Sequence, residues 1–269
     1  MILLVDVGNS RIKWAKLYKG KRSQQFAQDY SHEYADSILL RLLKEGDKKK
    51  RIKLLVLVCV LKADFIQKIE EYCRQLNIEI KIVRSQAKAY GVSNAYDTAS
   101  LLGADRFVGL IAAHQLIPDQ HCIIISCGTA VTIDAITVNG QHLGGLILPG
   151  LQSFSECLIK KTALLNTPNM AKTTLFAKNT ADAMTSGSIL GLVEAINGIS
   201  SQMKGELLKI KCLGEKTDPM NSVQTIICGG DAKLIHHYLP NSVQREDDWL
   251  MQGLQFIAEF YLSSIANSL

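Results

Sequence analysis

The sequence lacks any apolar run long enough to cross a bilayer. Its longest uninterrupted apolar stretch, Leu54–Leu61, is eight residues, against the roughly 20 that a spanning helix needs. The opening MILLVDVGNS carries neither the basic segment nor the apolar region of an export signal, so no membrane partner is predicted and the expected location is cytoplasmic. Seven cysteines are present (Cys59, Cys73, Cys122, Cys127, Cys157, Cys212 and Cys228), but they form an odd set without a C-x-x-C pair, mostly inside apolar runs. That pattern argues against a disulfide framework and a zinc site, and fits buried thiols in a reducing compartment. The six histidines, His32, His114, His121, His142, His236 and His237, show no H-E-x-x-H spacing, so packing or surface roles are expected for them. No G-x-S-x-G elbow supports a hydrolase. Charge is also short of one sign: 30 Lys and Arg against 25 Asp and Glu leave +5, too little by itself to call for nucleic acid. The one basic run, Asp47-Lys48-Lys49-Lys50-Arg51, has no interleaved aromatics and reads as a solvated turn.

What is present is a globular composition. Of 269 residues, 47% are hydrophobic and 20% charged, enough to bury one large core or two modest ones. An internal repeat at an offset of 120 residues favours two. Ile2-Leu3-Leu4-Val5-Asp6-Val7-Gly8-Asn9-Ser10 lies over Cys122-Ile123-Ile124-Ile125-Ser126-Cys127-Gly128-Thr129-Ala130, and Gly20 over Gly140 without a gap. Each copy is a buried strand, a Gly turn and an alternating strand (Ile12 and Trp14; Val131 and Ile133). Two distant copies predict two similarly built domains facing each other across a cleft.

The segments between alternate in type. Tyr34, Ile38, Leu39 and Leu42 mark a helix closed by Gly46; Lys53–Val60 reads as a strand; Ile66, Ile69, Tyr72, Cys73 and Leu76 have helical spacing; Ile78–Val83 alternates. Later come a helix from Asn179 to about Lys204, a strand Val223–Cys228 ending in Gly229-Gly230, and a closing helix Trp249–Ile265. The class is α/β. Pro118 is the expected hinge, dividing the chain into 1–117 and 118–269, with the closing helix in the second half.

The candidate chemistry sits at the Gly turns. A Gly turn lets backbone N–H groups approach an anion, Asn9 and Ser10 add donors, Lys13 adds charge, and Asp6 at the strand end can orient a hydrated magnesium ion. The form is neither a P-loop nor G-x-G-x-x-G. Gly128-Thr129-Ala130 offers a second such turn, with Gly229-Gly230 a third glycine element for an adenosine. Cys127 is the thiol inside that second turn. Gly103-Ala104-Asp105-Arg106 opens an apolar helical run; Asp105 either caps that helix or accepts a hydroxyl proton, and Arg106 can pair a substrate carboxylate. Gly144-Gly145-Leu146-Ile147-Leu148-Pro149-Gly150 reads as a stiff connection that shapes the cleft.

In that order, Asp6–Ser10, Gly103–Arg106, Gly128-Thr129-Ala130 with Thr132 and Asp134, and Gly144–Gly150 resemble the motifs of type III pantothenate kinases. The resemblance spans nearly the whole chain. It implies two actin-like (ribonuclease H-like) domains, produced by internal duplication, around an ATP cleft. It also implies ATP-dependent phosphorylation of pantothenate with Mg2+ and a monovalent cation, K+ or NH4+. Residue by residue, Asp6, Val7, Gly8, Asn9, Ser10, Arg11, Ile12 and Lys13 match the first phosphate loop, and Thr129 matches a second nucleotide contact. Gly103, Ala104, Asp105 and Arg106 match the pantothenate loop, with Asp105 as the general base; Tyr96 matches an aromatic substrate contact. Thr180 matches a substrate contact that the family builds at a homodimer interface.

One position departs. The family's second loop begins D-x-G-T-A, its Asp being associated with the monovalent cation, whereas this chain has Ser126. A hydroxyl offers an oxygen without the charge, so a weaker cation site is expected at Ser126. The alternative reading is a non-catalytic accessory regulator that keeps the nucleotide cleft; intact Asp6, Asp105, Arg106 and Thr129 favour a working kinase.

Overall fold

A computed structural model of the chain describes residues 1–30, 34–45, 51–154, 156, 173–210 and 223–266. His32, Gly46, residues 47–50 of the basic run, Cys157 and Cys212 lie outside them. The chain divides into two compact units, Met1–Leu116 with Asp248–Leu269, and Ile117–Asp247.

The first unit opens with β1 (Ile2–Val7), β2 (Arg11–Tyr18), β3 (Lys21–Arg22), β4 (Phe26–Asp29), α1 (Ala35–Lys44), β5 (Leu54–Cys59), α2 (Ala63–Gln75) and β6 (Glu79–Ile82). A short hairpin, β7 (Lys88–Ala89) and β8 (Val92–Ser93), then leads to α3 (Ala104–Leu116). The main sheet runs β3-β2-β1-β5-β6, with β4 also on β2. β1 is antiparallel to β2 and parallel to β5. Strands covered on both faces should read as continuous apolar runs, and Leu3, Leu4, Val5 and Leu54–Val58 are all buried. On one face Leu3, Val5 and Val7 pack with Ile38, Leu39 and Leu42 of α1 and with Ile69 and Cys73 of α2. Each such buried aliphatic side chain contributes roughly 1.5–3 kcal/mol.

The second unit contains β9 (His121–Cys127), β10 (Ala130–Ile136), β11 (His142–Pro149), α4 (Thr180–Leu207), β12 (Val223–Cys228), α5 (Ala232–His236) and β13 (Val243–Arg245). Its sheet runs β11-β10-β9-β12-β13, with β9 antiparallel to β10 and parallel to β12 as β1 is to β2 and β5. Ile123, Ile125 and Cys127 pack with Ile189, Leu192, Val193 and Ile196 of α4. The two sheets thus share one strand order. In each, parallel pairing requires crossovers that helices supply, with α1 and α2 answering to α4 and α5.

Three expectations change. The ungapped overlay of the repeats slips by one residue after the turn: Val7 pairs with Ile12 across Gly8-Asn9-Ser10-Arg11, but Cys127 pairs with Val131 across Gly128-Thr129-Ala130 alone. The second hairpin is one residue tighter, and β11 carries one extra residue, Leu143, at a bulge opposite Ala135/Ile136. The Gly144–Gly150 segment is not a connection; residues up to Pro149 form the edge strand β11, a position where Gly and Pro are tolerated. Finally, the closing helix, α6 (Trp249–Ala266), had been expected with the second half but packs in the first unit. α3 buries residues all round, Arg106 through Ala113, and so needs cover on a second side. Gly253 of α6 provides it, because a Cβ there would stand 2.7 Å from the Val108 carbonyl. Trp249 Nε1 donates to Gly109 O at 3.1 Å, and Asp248 pairs with Arg22 at 2.6 Å.

Candidate functional site

Strand alternation sets Asp6 with Leu4 on the face of β1 opposite Leu3, Val5 and Val7, the face that α3 and α6 cover. There Asp6 is only 4% exposed, and its carboxyl is pushed up to about 6 by burial and by the Asp105 charge, against the pull of Lys13. Lys13, its register partner across the hairpin, places Nζ 3.6 Å from Asp6 Oδ2. The turn between them is closed by Gly8 N donating to Arg11 O at 3.0 Å, and leaves Asn9 and Ser10 exposed. Val7 and Ile12 are fully buried; their side chains anchor the turn and do not face solvent. Arg11 pairs with Asp29 on β4 at 2.5 Å.

Asp105 lies in the first turn of α3, where the helix dipole favours an anion. Its Oδ1 accepts from the Arg106 backbone N–H at 2.9 Å. Gly103 makes room for it, because a Cβ on residue 103 would come within 2.7 Å of that oxygen. Arg106 is 8% exposed; it donates to the Tyr96 hydroxyl at 2.7 Å and its guanidinium lies 5.5 Å from the Tyr96 ring centroid. Asn94, which the sequence reading passed over, shapes the approach: its Oδ1 accepts from Tyr96 N and its Nδ2 donates to Ala99 O, both at 3.0 Å. Asp6, Lys13, Asp105, Arg106 and Tyr96 are therefore linked within one unit by contact or by charge.

In the second unit, Gly128 N donates to Ala130 O at 3.0 Å, and Thr129 is exposed while its carbonyl accepts from Gly150 N at 3.2 Å. Gly150 has no room for a side chain: a Cβ would stand 2.4 Å from Gly128 O and 2.5 Å from Thr129 O. Gly229, at φ +105°, presses on the other side, 2.2 Å from Cys127 O by the same measure, and Asp231 N donates to that carbonyl at 3.1 Å. Cys127 is buried, and burial, with Cys228 and Asp231 adding, drives its thiol pKa far up; it packs and is not poised to react. By register Ser126 is the counterpart of Asp6, and Thr132 opposite it is the counterpart of Lys13. Two hydroxyl residues thus stand where the first unit has an ion pair. Asp134, the other carboxylate of this motif, is buried against His142 Nε2 at 3.1 Å. Thr180 begins α4, exposed, behind an Asn179 cap whose Oδ1 accepts from Asp182 N at 2.9 Å.

Paired sheets of one order, each with a Gly turn at the end of its first strand, define the class: the fold is that of the actin-like ATPases. Solved structures of this kind include EutJ from Carboxydothermus hydrogenoformans (TM-score 0.51, 12% identity, 94% of this chain and 88% of that one). MreB5 of Spiroplasma citri bound to AMPPNP is another (TM-score 0.51, 10% identity, 100% and 98%). A Baf family protein from Campylobacter jejuni is similar as well (TM-score 0.57, 20% identity, 97% and 99%). At such identities the likeness shows the fold alone.

Sequence comparison narrows the class. A family model described as type III pantothenate kinase matches residues 2–202. Proteins named type III pantothenate kinase from Nitrosococcus oceani (32% identical, 96% of this chain and 94% of the relative) and Janthinobacterium sp. (33%, 96% and 97%) align nearly end to end. The chain belongs to the type III pantothenate kinase family.

Proposed function

We propose that the protein transfers the γ-phosphoryl group of ATP to the primary hydroxyl of pantothenate, giving 4'-phosphopantothenate and ADP, the first step of coenzyme A synthesis. The observation that carries this reading is the pair of carboxylates, Asp6 and Asp105, held beside Lys13 and a buried arginine in a chain of this family. Each has a task. The Gly8–Ser10 turn and Lys13 receive the phosphates; Thr129 makes a second nucleotide contact. Arg106, oriented by Tyr96, takes the pantothenate carboxylate through paired N–H donors, and Gly103, Ala104 and Thr180 complete the substrate contacts. The substrate oxygen attacks the γ-phosphorus as the bond to the β,γ-bridging oxygen breaks, and Asp105 accepts the hydroxyl proton. Positioning and charge stabilisation supply most of the catalysis. A buried Asp6 carboxyl that feels the Asp105 charge suits a divalent cation, so Mg2+ entering with ATP would sit near Asp6 and neutralise phosphate charge.

The monovalent cation requirement is weak in this reading, since Ser126 and Thr132 offer oxygen without charge. A homodimer is supported by α4: Gly187, Gly191, Gly198 and Gly205 fall on one face by helical spacing, and a Cβ at any of them would meet nothing within 4 Å. Four helix-weakening glycines on one open face suit close approach of a second helix. A cytoplasmic location is part of this proposal. Among the described residues no helix is long and apolar enough to cross a membrane. The deciding measurement is ADP formation by purified protein with and without pantothenate across a potassium and ammonium titration. Absence of pantothenate-dependent turnover under every cation condition refutes the proposal.

A further inference from the structure

The first phosphate loop has a partner that no motif announces. Tyr30, one residue past β4, donates its hydroxyl to the Gly8 carbonyl and its backbone N–H to the Ser10 carbonyl, the latter at 3.1 Å. Two of the three carbonyls in Gly8-Asn9-Ser10 are thus drawn toward a single residue. A trans peptide points its C=O and the following N–H in opposite directions. Holding those two oxygens therefore turns the Asn9 and Arg11 N–H groups away from Tyr30. An anion-binding turn needs this division, with donors presented and carbonyl dipoles turned aside.

The second unit repeats the arrangement. Asp29 is the register partner of Arg11, and Pro149 that of Ala130, so Tyr30 and Gly150 each directly follow a strand that flanks the second strand of its hairpin, β4 on β2 and β11 on β10. Gly150 N donates to Thr129 O at 3.2 Å as Tyr30 N does to Ser10 O. The backbone bond is common to both copies; the side-chain bond to the turn's first carbonyl belongs to Tyr30. Tyr30 is half-buried, and burial, with Cys59 and Asp6 adding, pushes its phenol up to about 12, so it remains a neutral O–H donor at any assay pH.

We infer that Tyr30 is a positioning residue for phosphoryl transfer, orienting the Gly8–Ser10 loop toward nucleotide phosphate without touching substrate. The inference rests on reading that loop as the phosphate loop, and not on pantothenate being the acceptor. The test is Tyr30→Phe, which keeps the ring and the backbone bond and removes only the hydroxyl. One neutral hydrogen bond lost at a loop that must hold its geometry raises KM for ATP, and weakens ADP measured by calorimetric titration without pantothenate, by about 5- to 10-fold. KM for pantothenate stays within twofold. A merely structural tyrosine predicts the reverse: a lower melting midpoint with ADP affinity of the folded variant unchanged. ADP affinity of Tyr30→Phe within twofold of the parent overturns the inference, as does a parent that binds no ADP. A parent that binds ADP but does not phosphorylate pantothenate refutes the proposed function and leaves the Tyr30 titration valid.

Discussion

Replacing Gly150 with alanine tests whether the second turn is built by packing from outside. The added Cβ would stand 2.4 Å from Gly128 O and 2.5 Å from Thr129 O, where ordinary contact begins near 3.4 Å, so something must move by about 1 Å. Both obstructing atoms are backbone, and Gly150 itself is tied to Thr129 by its N–H at 3.2 Å; no flexible side chain can swing aside. Overpacking of this kind costs about 1–3 kcal/mol, or a midpoint lowered by roughly 2–4 °C per kcal/mol in a chain of this size. A 1 Å displacement of a positioning element can cost about 100-fold in rate, so kcat/KM for ATP should fall far more than stability accounts for. The contrast is Gly128→Ala within the turn, whose Cβ would be 3.8 Å from its nearest neighbour, Ala130 O; it should melt with the parent. The assays are thermal unfolding and steady-state kinetics with ATP varied. A Gly150→Ala protein with parental midpoint and parental kcat/KM would show that the close approach has no bearing on the site.

Four further outcomes are expected. Asp105→Asn should lower turnover by about 10²- to 10⁴-fold, as removal of a general base does, with ADP affinity little changed by titration; near-normal rates count against its role. Burial holds the Asp6 carboxyl up at about 6 in the folded protein, so the folded state binds its proton more tightly than the unfolded one. Its contribution is therefore most favourable below about pH 4 and is lost as pH rises through about 6; Asp6→Asn should melt no lower than the parent at pH 7 while losing activity, and a clear drop in midpoint at pH 7 would contradict that sign. Ser126→Asp should strengthen potassium activation, which a potassium titration of rate reads directly; an unchanged response means the ion, if any, sits elsewhere. Gly191→Leu fills the open face of α4 and should shift the protein toward monomer in sedimentation, whereas an unaltered mass would remove α4 from the interface.

Much of the fold can be read from residues alone because the signals are local. Continuous apolar runs at Ile2–Val5, Leu54–Val58 and Cys122–Ile125 announce buried strands, the 3.6 periodicity at Ile38, Leu39 and Leu42 announces α1, and the repeat announces two like sheets. The loops around Asp6 and Asp105 are legible for the same reason, since a turn and a helix start are short-range events. The signal fails where the partner is distant in sequence. Asn94 braces Tyr96 through an ordinary Asx turn that any loop can hold, and an apolar α6 fits either half until Gly253 meets Val108.

The sequence by itself determined the alternation of elements, the duplicated plan and the residues at the two turns, because strand and helix periods and glycine's missing side chain act within a few residues. Tertiary structure decided the rest. It set the one-residue difference between the hairpins, the burial that silences Cys127, the close backbone approaches of Gly150 and Gly229, and the hold of Tyr30 on Gly8. The approaches of Gly150 and Gly229 and the hold of Tyr30 join atoms about 20 to 100 residues apart in the chain, and such contacts exist only once the sheets are assembled.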